Sequence, residues 1–145
     1  FTAAPAIRSK YELGALAVAD MNRDGKPDLV LGPRRAASTG AVLAGTGTGT
    51  FGQRTDFQVG QSGGALLVAD LDGDGWLDLA SPDAEAGCSA VLRGSPEGLR
   101  ERVDLGTGPN ASAAVVVDFD ADTRADLAVT NRDPSTVTLL RNLGR

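Results

Sequence analysis

Asp70-Leu71-Asp72-Gly73-Asp74-Gly75-Trp76-Leu77-Asp78-Leu79 is the stretch on which the reading of this chain turns. Carboxylates stand at positions 1, 3, 5 and 9, and Gly stands at position 6. The pattern occurs twice more, as Asp20-Met21-Asn22-Arg23-Asp24-Gly25-Lys26-Pro27-Asp28-Leu29 and as Asp118-Phe119-Asp120-Ala121-Asp122-Thr123-Arg124-Ala125-Asp126-Leu127. The copies are 50 and then 48 residues apart. Self-similarity at such a period marks a propeller or a related array of supersecondary units.

Outward from each loop the chain reads the same way three times. The aligned copies open at Gly14, Gly64 and Ser112 with a short apolar run: Ala15 to Ala19, Ala65 to Ala69, Ala113 to Val117. Both faces of each run are apolar, which predicts a strand buried on both sides. Second strands are expected at Leu29 to Leu31, Leu79 to Ala80 and Leu127 to Thr130. Third strands are expected at Ala41 to Ala44, Ala90 to Arg93 and Thr136 to Arg141. A more polar fourth strand follows at Arg54 to Val59 and Arg100 to Leu105, with an N-terminal counterpart at about Ala6 to Tyr11. Four antiparallel strands with a doubly buried inner strand describe a propeller blade. The expected fold is therefore all-β: one propeller segment over residues 1–145, with repeats at about 1–50, 51–98 and 99–145.

The phase of the repeat carries a further expectation. The chain opens on an outer strand and closes on a third strand, so the last blade lacks its fourth. Propellers typically have 4–8 blades, and three would leave apolar faces bare at both ends. A two-fold dimer forming a six-bladed ring is expected, each N-terminal strand completing the partner's last blade. A place within a longer propeller is the alternative.

The loops suit a hard divalent cation. Calcium takes six to eight oxygens, and side chains at alternate positions of a tight turn converge on one point. Gly at position 6 permits the turn, and the backbone carbonyl at position 7 adds a ligand. The expected ligands are Asp20, Asn22, Asp24, Lys26 (carbonyl) and Asp28 in the first loop. In the second they are Asp70, Asp72, Asp74, Trp76 (carbonyl) and Asp78; in the third, Asp118, Asp120, Asp122, Arg124 (carbonyl) and Asp126. Up to three calcium ions per chain are expected. Thr123 replaces the Gly of the third loop, where a positive φ would be strained. An EF-hand is excluded, because that loop needs a Glu at position 12 and flanking helices; position 12 of the first loop is Leu31. Asp and Gly also make turns without any metal, but three registers of four such groups would repel one another strongly without a cation.

Composition narrows the class further. The net charge is −5, and eleven of the Asp residues lie in the three loops; no basic footprint for nucleic acid is present. Histidine is absent, which removes the commonest general base and transition-metal ligand. Cys88 is the one cysteine, so no intrachain disulfide forms; it reads as a small strand residue. No apolar run approaches a membrane span. Gly45-Thr46-Gly47-Thr48-Gly49-Thr50 lacks the Gly-Lys-Ser/Thr of a phosphate loop and reads as a turn. Asn110-Ala111-Ser112 is a glycosylation sequon.

These residues resemble the FG-GAP and VCBS repeats, the family that forms the β-propeller of integrin α-subunits. The Asp-x-Asp-x-Asp-Gly-x-x-Asp-Leu core carries the likeness. Phe51-Gly52 looks like the family's FG, and Leu31-Gly32-Pro33 like a degenerate GAP. The resemblance implies that the loops bind calcium on the blades. Integrin heads have seven blades, which copies of three cannot sum to, so that assembly does not transfer. The expected function is a calcium-stabilised, non-enzymatic scaffold for binding or adhesion, outside the cell or at its surface, where calcium is millimolar. A lectin using Trp76, or a hydrolase using carboxylates, are the alternatives; Glu85, Glu97 and Glu101 are too isolated to form a catalytic pair. The protein or carbohydrate ligand is not legible.

Overall fold

A computed structural model describes residues 6–34, 38–60 and 65–144; Gly64, where the second copy opens, lies outside them. The described residues form eleven strands and no helix. The first sheet runs β1 (Leu13–Ala19), β2 (Asp28–Pro33), β3 (Thr39–Gly45) and β4 (Phe51–Gln58). The second runs β5 (Leu67–Ala69), β6 (Asp78–Asp83), β7 (Cys88–Arg93) and β8 (Arg100–Gly106). The third has β9 (Ala111–Val117), β10 (Asp126–Asn131) and β11 (Thr136–Leu140). Each sheet is an antiparallel meander in chain order, with four, four and three strands. These sheets match the blades expected from the repeat, the third having three strands among the described residues.

The blades stack side by side. The period-2 alternation of each strand sends one set of side chains toward the next blade and the other toward the blade before. Ala17, Val30, Val42 and Phe57 face forward from the first blade and meet Val68, Leu79 and Leu92 of the second. Leu67, Ala80, Val91 and Leu105 face forward from the second and meet Val116, Leu127 and Leu140 of the third. The inner strands β1, β5 and β9 are consecutive neighbours.

Three expectations need correction. β5 spans only three residues, because Ala65 and Leu66 lie outside the ladder with β6. Residues 6–11 form no strand. The inner strands are not all buried on both faces. Leu16 is 63% exposed and Val18 62% on β1, and Val115 is 56% exposed on β9, because no blade covers the outer sides of the stack. The Thr46–Thr50 segment is a turn between β3 and β4, closed by contacts among the Thr46, Thr48 and Thr50 hydroxyls. Cys88 is buried at the start of β7.

Candidate metal centre

The three acidic loops are the β1–β2, β5–β6 and β9–β10 turns, so each joins the first two strands of its blade and all lie along one edge of the stack. Two contacts tie them together. The Arg23 guanidinium of the first loop lies over the Trp76 ring of the second, 5.1 Å from its centroid. Asn142, just past β11, donates its side-chain amide to the Leu71 carbonyl of the second loop at 2.6 Å.

Within each loop the backbone and side chains are cross-braced in the same way. The position 1 carboxylate accepts from the N–H of position 6: Asp20 from Gly25 at 2.8 Å, Asp70 from Gly75 at 2.9 Å, Asp118 from Thr123 at 2.9 Å. The position 3 oxygen of Asn22, Asp72 or Asp120 accepts from the N–H of position 5. The position 5 oxygen of Asp24, Asp74 or Asp122 accepts from the N–H of Lys26, Trp76 or Arg124. The loop thus folds its amides inward onto its own acids, an arrangement that orients carboxylates before any ion arrives.

The backbone at position 6 has positive φ in all three loops: 81° at Gly25, 88° at Gly75 and 74° at Thr123. The strain expected at Thr123 is therefore present. Sequence reasoning missed a second such site at position 4, where Arg23, Gly73 and Ala121 have φ of 60°, 77° and 60°. Only the second loop has Gly at both, and that Gly73 was the available signal.

Position 9 behaves differently from the others. Asp28, Asp78 and Asp126 are fully buried, whereas the remaining loop acids reach the surface. Each ninth Asp accepts from the N–H of position 2, in Met21, Leu71 or Phe119, with one oxygen. With the other it accepts from a residue that follows the third strand or ends it: Gly45 at 2.8 Å, Gly94 at 2.7 Å, Asn142 at 2.7 Å. The ninth Asp is thus a latch between the loop and the far end of its blade. Burial pushes the Asp78 carboxyl up from its ordinary value, the Gly94 and Leu71 amides pull it back, and Asp72 and Asp74 push it up again.

One carboxylate oxygen each from Asp70, Asp72 and Asp78 lie within 4.8 Å of one another, and the same holds for Asp118, Asp120 and Asp126. Positions 1, 3 and 9 therefore converge, as a cation site needs. Asp74 and Asp122 stand outside these groups of three. In the first loop Asn22 occupies position 3, so Asp20 and Asp28 have no third carboxylate there. Nearby cations partly balance the acids: Arg93 lies 3.8 Å from Asp72, Lys26 3.4 Å from Asp24, and Arg141 and Arg124 pair with Asp120 and Asp122.

Stacked antiparallel sheets with an acidic turn at the same corner of each define a repeat protein of blade-like units. Residues 20–81, which hold the first two loops, match the FG-GAP-like repeat. The chain is also similar to integrin alpha pat-2 of Caenorhabditis briggsae, 32% identical over 122 aligned residues. That match covers 64% of this chain and 10% of the relative, so the chain spans about a tenth of the length of the integrin it resembles.

Proposed function

We propose that the chain is a calcium-stabilised β-propeller scaffold of the adhesion type, non-enzymatic and working outside the cell or at its surface. The observation that carries this reading is the convergence of three carboxylates at each of the second and third loops, in a chain that matches the FG-GAP-like repeat and is similar to an integrin alpha. Asp70, Asp72 and Asp78 would hold one ion, and Asp118, Asp120 and Asp126 another. Asp74 and Asp122 would complete these sites, together with the carbonyls of Trp76 and Arg124. Asp20, Asn22, Asp24 and Asp28 with the Lys26 carbonyl form a weaker third site, one charge poorer. A bound divalent cation offsets repulsion among the acids and fixes the turn, so metal affinity becomes folding stability. The role of the protein's own residues is to pre-orient the ligands: the inward amides hold each carboxylate, and the buried ninth Asp fastens the site to the blade.

Native mass spectrometry with calcium, with magnesium and after chelation tests this directly. Two calcium ions per chain held tightly, and a third held more weakly, are expected. A chain that takes up no calcium, or prefers magnesium, would remove the proposal.

A further inference from the structure

Asn142 joins the third acidic loop to the second through four hydrogen bonds. Its backbone N–H donates to Asp126, the ninth residue of the third loop, at 2.7 Å. Its carbonyl accepts from the Arg124 side chain, at position 7 of the same loop, at 2.9 Å. Its side-chain amide donates to the Ala125 carbonyl at 3.2 Å and, from the third blade to the second, to the Leu71 carbonyl at 2.6 Å. Leu71 is position 2 of the second loop, and its own N–H is held by Asp78. An unbroken path therefore runs from Asp126 through Asn142 and Leu71 to Asp78. Both of its ends belong to the groups of three converging carboxylates.

Among the described residues this bridge is made once. Gly45 and Gly94 hold the equivalent places in the first two blades, and their N–H groups donate to Asp28 and Asp78 as that of Asn142 donates to Asp126. A glycine has no side chain to reach another loop. Nor is there room for one: a Cβ on either would collide with the carbonyl oxygen at position 8, of Pro27 or Leu77. In the third blade the carbonyl at position 8, that of Ala125, instead accepts from the Asn142 amide. The latch to the ninth Asp thus needs only backbone and is common to the three blades, whereas the amide bridge is particular to Asn142.

Whatever fixes Asp126 fixes the N–H that it accepts, and with it the Asn142 side chain. Asn142 in turn holds the carbonyl of Leu71 while Asp78 holds its N–H, so the start of the second loop is fastened on both sides of one residue. A loop already ordered loses less conformational freedom when its carboxylates gather on an ion. Binding free energies are reciprocal, so the effect runs equally in both directions. We propose that Asn142 couples the two sites, a divalent cation at the third loop raising the calcium affinity of the second, and the reverse. This rests on the calcium reading of the loops given above. Couplings between sites commonly lie between about 5- and 150-fold, and a bridge of one hydrogen bond between partly exposed groups places this one at the lower end, about fivefold.

Trp76 is the one tryptophan and stands in the second loop, so its fluorescence titrates that loop in the 145-residue chain. Asp20→Asn with Asp24→Asn silences the first loop throughout. Asp120→Asn with Asp122→Asn silences the third, each amide keeping an oxygen for the backbone N–H that its carboxylate accepts. The calcium affinity read at Trp76 should fall about fivefold when the third loop is silenced. Asn142→Gly installs the residue that the other two blades carry and keeps the N–H donated to Asp126. In that background silencing the third loop should change the affinity by less than about twofold. Asn142→Ala, which also lacks the amide, should behave alike, and circular dichroism should show the sheet retained in each variant. A second-loop affinity indifferent to the third loop in the parent overturns the coupling. A fall that persists in Asn142→Gly and Asn142→Ala overturns the role of Asn142. No heat of calcium binding in any variant, by isothermal titration, overturns the calcium reading itself and this proposal with it.

Discussion

Asp78 accepts the N–H of Gly94 at 2.7 Å, fastening the second acidic loop to the residue that follows β7. The same carboxylate accepts from Leu71 at 2.8 Å. A buried charge satisfied by two backbone amides is held firmly, and its removal leaves both donors orphaned. Hydrogen bonds to a charged group contribute about 1.5–3 kcal/mol each, and a buried unsatisfied donor costs about 1–3 kcal/mol. Asp78→Ala should therefore destabilise the chain by about 3 kcal/mol or more even in chelator, read from urea denaturation. Asp72→Asn, at a more exposed position, should change chelated stability little and act mainly on calcium affinity. If the two variants behaved alike in chelator, the latch role of Asp78 would be wrong.

That division of labour within one loop was not legible in the sequence. Asp20 and Asp28, or Asp70 and Asp78, differ only in spacing, and spacing pointed to metal for both. What separates them is burial, which arises because position 9 is also the first residue of the second strand, where the sheet closes over it. The strand order was legible, because the apolar run, the loop and the Asp-Leu step recur in register. The edges were less so. β4 begins at Phe51, three residues before the expected Arg54, because alternation along a solvent-facing strand is masked by Gly52 and Gln53.

Calcium should raise the thermal midpoint, and chelation should lower it. A single site held at a hundred times its dissociation constant adds about 2.7 kcal/mol. The loops should not contribute equally. Asp70, Asp72 and Asp78 bring three carboxylates together, whereas Asn22 leaves the first loop one short. Asn22→Asp should tighten calcium binding at the first loop, and Asp72→Asn should loosen it at the second. Isothermal titration of both variants resolves the order; equal affinities in the parent and both variants would show that charge count does not set it.

Thr123 holds φ of 74°, a conformation that costs a β-branched residue of order 1–3 kcal/mol. Glycine adopts it freely but loses more backbone entropy on folding, by roughly 0.5–1 kcal/mol. The balance favours Thr123→Gly by about 1 kcal/mol, and guanidinium midpoints at constant m-value would measure it. The gain should persist in chelator, since it arises in the backbone. A gain seen only with calcium would instead assign Thr123 an effect on ligand geometry.

Gly40 permits the first two blades to close on each other. A methyl group built on it would fall 2.4 Å from the Phe57 ring and 2.6 Å from the Leu31 carbonyl oxygen. The carbonyl belongs to a paired strand and cannot retreat, so Gly40→Ala must displace Phe57 from the interface with Leu79 and Leu92. Overpacking of this kind costs about 1–3 kcal/mol. Phe57→Ala alone removes the ring and should cost about 3–5 kcal/mol. Because Gly40 and Phe57 face each other across β3 and β4, the two changes should not add fully: once the ring is gone, Gly40→Ala keeps only its clash with the Leu31 carbonyl. A double-mutant cycle by urea denaturation should give a coupling of about 1 kcal/mol or more, and strict additivity would show that the strain falls on the backbone rather than on Phe57.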